Sequence, residues 1–143
     1  MILNLYLIFS LQILFDFEAD HSQSTDLISS MDFVQVLSNN YEEAHYYYAE
    51  NWELLRKMAL QEGYIHSYQM IPIAPDSAMS IDLILITTYK NQAQFAEREE
   101  RFQILIERLS GKKLLNDKQP QEFRKVLYNQ ISKEHSLQVA SPR

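Results

Sequence analysis

Two segments of this chain are apolar on both sides of an alternating pattern, and that property limits its fold more than any other. Residues 31–38 (MDFVQVLS) place Val34 and Val36 on one face and Met31, Phe33 and Leu37 on the other. Residues 79–89 (MSIDLILITTY) place Ile81, Leu83 and Leu85 on one face and Ile84 and Ile86 on the other. Strands of this kind lie inside a sheet that is covered above and below. Two further segments have the mixed polarity of edge strands: 64–73 (YIHSYQMIPI), which carries Pro72 before a turn around Ala74-Pro75-Asp76-Ser77, and 122–131 (EFRKVLYNQI). Proline has no N–H for a ladder, so it belongs at an edge or a strand end.

Helical patterns fill the intervals. Ser38-Asn39-Asn40 offers an N-cap, and Glu42 stands three residues after Asn39 in the capping-box relation. From there Tyr41, His45, Tyr48, Trp52, Leu55 and Ala59 recur at steps of four and three, which predicts one buried stripe on a long helix. Gly63 suits the left-handed position just past its end. Asn91 can cap a second helix whose stripe runs Phe95, Phe102, Leu105, Ile106 and Leu109, and Gly111 closes it. The order across about 31–131 is β-α-β-β-α-β.

With strands one and three central and strands two and four at the edges, the predicted antiparallel sheet has the order 4-1-3-2 of two interleaved, right-handed split βαβ units. This is the ferredoxin-like α+β fold, with two helices on one sheet face. Two helices leave the other apolar face of the central strands uncovered. At about 25 cal/mol per Å² of apolar surface, leaving it wet forgoes several kcal/mol. A two-fold symmetric copy of the same sheet is the simplest cover, so a homodimer through the sheet face is expected.

The run from Trp52 through Leu60-Gln61-Glu62-Gly63 into Ile65-His66-Ser67-Tyr68, and the basic opening of the last strand at Arg124-Lys125-Val126, resemble the dimeric α/β-barrel superfamily. That superfamily includes antibiotic-biosynthesis-type monooxygenases, stress-responsive barrel proteins and small uncharacterised secreted proteins. The resemblance covers about residues 31–134 and lies in the layout more than in any catalytic signature. It implies a homodimeric barrel that binds a small apolar or aromatic molecule between the sheet and the helices or loops, without fixing a chemistry.

Several residues are candidates for such a site. His45, three residues after Glu42 in the stripe of the first helix, could line a cavity as a general base or a haem or metal ligand, and His66 on strand two is a second candidate base, each set against an ordinary packed, surface or interface histidine. His66 and Tyr68 share one face of strand two beside Tyr64 and Met70, a pattern suited to an aromatic ligand or to an interface seam. Gln35, flanked by Phe33 and Leu37 on a central strand, needs polar partners if buried. Asp82 and Tyr128 are similar but nearer strand ends. Trp52 and most of Tyr46-Tyr47-Tyr48 read as packing.

The chain has no phosphate-cradling glycine loop, no G-x-S-x-G, no H-E-x-x-H and no calcium loop. Its four histidines are scattered, and its lack of cysteine removes thiolate metal sites, so no metal and no cofactor are expected. Three functional readings follow: a homodimeric small-molecule-binding domain, a cofactor-independent monooxygenase or isomerase acting on an aromatic or quinone-like substrate, and a non-catalytic protein interaction module. The formal charge of −6 is unevenly placed, with 3 acids against 7 Lys/Arg after residue 109, but the basic residues are too few and too mixed for nucleic acid.

Outside the domain at 25–134, residues 1–24 open with an apolar run, MILNLYLIFSLQILF, that is too short for a membrane span. They read as a signal peptide or an apolar arm, and 135–143 as a polar tail. A cleaved signal implies a secreted or periplasmic protein, and its absence a cytoplasmic one.

Overall fold

The computed structural model describes residues 26–74 and 80–134. The segment at 1–24, most of the turn after Ala74, and the tail at 135–143 lie outside the described residues. The elements in chain order are β1 (Leu27–Val36), α1 (Tyr41–Tyr47), a π-helical stretch (Tyr48–Glu53), α2 (Leu54–Gln61), β2 (Ser67–Pro72), β3 (Leu83–Tyr89), α3 (Gln92–Ala96), α4 (Arg98–Glu107), α5 (Pro120–Phe123) and β4 (Arg124–Glu134). Among the described residues no helix is long and apolar enough to cross a membrane.

The four strands form one antiparallel sheet in the order β2-β3-β1-β4, which is the expected order read from the opposite edge. Cross-strand partners point to the same side of a sheet, so the register sorts the side chains into two faces. Toward the helices lie the rows Pro72–Leu83–Val34–Val126 and Met70–Leu85–Asp32–Asn129. On the opposite face, free of helices among the described residues, lies Ile71–Ile84–Phe33–Tyr128, an apolar row that crosses all four strands. Beside it Ile86 pairs with Met31, and the face then turns polar at Thr88 and Ser29, whose hydroxyls are 2.8 Å apart.

The helix-side core has two centres. Val34 and Leu85 pack with Tyr48 and Trp52, while Ile65 and Tyr89 pack with Ala59 and Leu105. The first helical segment therefore runs along the sheet, and α4 closes the far end. Its start differs from the periodicity prediction: Ala44 is buried, whereas Tyr41 and His45 are exposed. A π turn takes more residues than the 3.6 of an α-helix, so the stretch from Tyr48 to Glu53 shifts the phase of everything before it.

Local signals explain the element ends. Gly63, at φ 72°, lets its own N–H reach Leu60 O at 3.1 Å and the Tyr64 N–H reach Ala59 O at 2.8 Å, a Schellman closure of α2. Asn91 accepts from the Gln94 N–H at 2.9 Å and caps α3 as expected. The predicted capping box at Asn39 does not form. Asn40 occupies the cap position without capping, and its amide donates to Leu37 O at 2.9 Å. Helix α4 ends at Glu107, before Gly111, and β4 begins at Arg124 because Pro120 and a Gln119 N–H to Glu122 Oε2 bond of 2.6 Å start α5.

The connection between α4 and α5 is tied down by polar contacts. Buried Asn51 donates to Lys113 O and accepts from the Lys113 N–H, both at 2.8 Å. The Lys118 ammonium donates to Glu43 Oε1 at 2.7 Å and to Asn40 Oδ1 at 2.6 Å, and the Asn116 amide reaches the same Glu43 oxygen at 3.1 Å. Lys118 first, and Asn116 second, hold the Glu43 carboxyl down at about 2.

A carboxyl that titrates lower in the folded state than in the unfolded chain stabilises at high pH and loses that effect as it protonates. We expect the Glu43 contribution to be complete above its ordinary value of 4.5 and to disappear as the pH falls toward about 2. Thermal melts across that window should show Glu43→Gln less stable at neutral pH, with the difference from the parent chain vanishing in acid.

Candidate functional site

A cavity of about 720 Å³ lies between the helix-side face of the sheet and the first helical segment. Its apolar wall comes from Val36 at the end of β1, Met70 and Pro72 of β2, Leu83 of β3 and Ala49 of the π-helical stretch. Leu115 closes it from the α4–α5 connection, so the Asn51 and Glu43 contacts that hold that connection also hold a wall of the cavity. A cavity of this size, apolar with a few convergent polar groups, matches a small-molecule site.

The polar groups gather at one end. Asp82, just before β3, accepts the Val36 N–H through Oδ2 at 2.7 Å and the Tyr41 hydroxyl through Oδ1 at 3.3 Å. Its own N–H donates to Val34 O at 2.8 Å, so the carboxylate is fixed from both backbone and side chain. The Asp82 charge, ahead of desolvation, raises the Tyr41 phenol above its ordinary value and keeps it a neutral donor at physiological pH. Glu42, His45 and Glu50 complete the rim. Glu50 is paired with Lys113 at 2.7 Å, whereas His45 is exposed and no hydrogen bond among the described residues orients its imidazole.

Of the candidate site residues singled out in the sequence, His45 and Asp82 line this cavity. His66 is exposed in the bend before β2, its N–H bonded to Thr88 O at 2.7 Å. Tyr68 packs on the helix-side core with its ring edge against Trp52 at 5.9 Å. Gln35 stands on the opposite sheet face, beside Phe33 in the chain. Tyr128 is on that face too, 49% exposed, its ring stacked on Phe33 at a centroid distance of 4.3 Å. The structure does not bring Gln35, His66, Tyr68 and Tyr128 together. The alternation of strands one and two could not reveal this, because each strand presents two equivalent faces until the helices choose one. Asp82 was legible as a polar residue near the end of strand three, which the structure starts only at Leu83, and Tyr41 as a stripe residue, but their pairing needed the β3 register.

No family model matches the chain, and no curated protein matches it. Among solved structures it is similar to HapK from Hahella chejuensis, with 8% sequence identity and a TM-score of 0.48, over 80% of this chain and 99% of that one.

Asp82 satisfies a part-buried backbone donor and a phenol at once, so its removal should be felt in stability. Asp82→Ala is expected to cost roughly 1–2 kcal/mol in denaturant unfolding, with Asp82→Asn recovering part of the loss.

Proposed function

We propose that the protein is a homodimeric, small-molecule-binding α+β domain, of the kind its resemblance to dimeric α/β barrels implies. The cavity under the first helical segment carries this reading. It combines about 720 Å³ of mostly apolar space with a fixed hydrogen-bonding end at Tyr41 and Asp82. A ligand with an apolar, aromatic-sized body and one polar end suits that arrangement. A solidly packed interior would instead favour a pure interaction module. Catalysis is the less supported reading, because a general base works from a held position and no hydrogen bond among the described residues orients His45.

The dimer reading rests on the helix-free face. The row Ile71–Ile84–Phe33–Tyr128, with Met31 and Ile86 beside it, places six apolar or aromatic side chains on the face opposite the described helices. A second copy related by a two-fold axis presents the same row and buries both.

Binding is tested with 1-naphthol, a neutral aromatic probe, by titration calorimetry. The parent chain should bind it with a dissociation constant below about 1 mM, and Ala49→Trp, which fills the cavity, should weaken binding at least about tenfold. Absence of binding, or binding unchanged in a folded Ala49→Trp protein, overturns the proposal. For the assembly, sedimentation velocity should show a dimer in the parent chain and a monomer for Phe33→Glu; a monomeric parent chain overturns it.

A further inference from the structure

A second cleft, of about 180 Å³, lies on the other side of Tyr48, between the first helical segment and the β1–β4 side of the sheet. Three of its lining residues carry a buried donor that no protein atom accepts: Arg124 Nε, Tyr48 Oη and Trp52 Nε1. They are the only such side-chain atoms among the described residues, and all three residues line this one cleft. Unpaired buried donors cost roughly 1–3 kcal/mol each, so three at one cleft mark a group that is to be bound there.

The charges of the lining point to what that group is. Arg56 is sandwiched between aromatic rings, with its guanidinium carbon 4.6 Å from the Trp52 centroid and 4.4 Å from that of Phe102. Its Nε donates to Thr87 Oγ1 at 3.3 Å, and it makes no ion pair with a described carboxylate. Burial lowers its pKa to about 10, which still leaves it cationic at neutral pH. Arg124 lies over the Tyr47 and Tyr48 rings at 5.2 and 5.8 Å and makes no ion pair with a described carboxylate either. Burial pushes the Tyr48 phenol up to about 12, opposed by the Arg124 charge and by an Arg124 guanidinium close enough to donate to the phenol oxygen, which leaves the hydroxyl proton itself free to donate. Against the two guanidinium groups the lining offers one carboxylate, Asp32, whose Oδ1 already accepts from the Asn129 amide at 2.8 Å.

We infer that this cleft binds the carboxylate of a small organic acid. A carboxylate is acceptor-only, which complements the donor-only Arg and Trp groups, and its planar pair of oxygens fits a guanidinium. A monoanion brings the lining to neutrality, whereas a dianion would overshoot it. Leu55, Leu85 and Val126 make the rest of the wall apolar. A dry cavity of about 150 Å³ is known to hold a benzene ring, so this cleft has the size for an aromatic acid such as benzoate.

Benzoate is therefore the probe, followed by the emission of Trp52, the only tryptophan in the chain, and independently by calorimetry. Saturable binding is expected, weakened about tenfold by Arg124→Gln and several-fold by Tyr48→Phe, in line with the loss of a charge-assisted and a neutral hydrogen bond. Benzyl alcohol, of the same size without the charge, should not compete. Tyr48→Phe removes one oxygen and decides the matter if Arg124→Gln does not fold. The inference is overturned by the absence of saturable binding, which would mean that water serves the three donors, by equal competition from benzyl alcohol, or by unchanged affinity in Tyr48→Phe. Benzoate binding should persist in Ala49→Trp, so this result and that for the larger cavity fail or stand separately.

Discussion

Tyr48 and Trp52, laid on Val34 and Leu85, are the contact from which the other features follow. All four side chains are buried, and they join the middle of the first helical segment to the two central strands. Burying two large aromatic side chains supplies several kcal/mol of apolar stabilisation and at the same time sets the height and angle of the helix over the sheet. Both cavities are bounded by this contact, since Tyr48 lines each of them and Trp52 the smaller one. The space beside the aromatic pair is thus a by-product of the way the helix is held off the sheet.

The π-helical stretch is where that contact acquires its shape. It spans Tyr48 to Glu53 and contains Asn51, whose side-chain amide donates to Tyr47 O at 2.9 Å as well as to Lys113 O. A side chain that bonds to a carbonyl one turn back competes with the regular ladder. Tyr48, Asn51 and Trp52, at i, i+3 and i+4, face the interior together, and the wider turn changes the phase between them and the residues on either side. Asn51 then anchors the α4–α5 connection that carries Leu115 into the larger cavity. One buried amide links helix phase, loop position and cavity wall.

Electrostatics divides the helix side of the molecule into two ends. The larger cavity has an acidic rim, with Asp82, Glu42 and Glu50, whereas the smaller cleft is ringed by Arg56, Arg124 and a single Asp32. Low local dielectric strengthens such differences, because charges near buried aromatic surface are poorly screened. Arg56 is held by ring faces where an acid would be expected, a contact that keeps its charge available. Part of this was visible in the chain: Arg56 follows Trp52 by four residues and so shares a helix face with it. Asp32, between Met31 and Phe33 on a central strand, was equally visible as a charge in an apolar setting.

The sequence by itself determined the element order, the central position of the two strands apolar on both sides, and hence the antiparallel order of the sheet, because period-two alternation and apolar content are properties of contiguous residues. It also determined the closure at Gly63 and the cap at Asn91, since each rests on one residue type in one backbone conformation. Only the tertiary structure decided which sheet face the helices cover, and with it that Gln35 and Tyr128 stand apart from Tyr68 and His45. It alone decided the phase of the first helix, because hydrogen bonds from Asn51 to a loop 62 residues away are invisible to local periodicity. The gathering of Tyr48, Trp52, Arg56 and Arg124 around one cleft likewise joins a helix to the last strand, and no spacing along the chain encodes a distance across it.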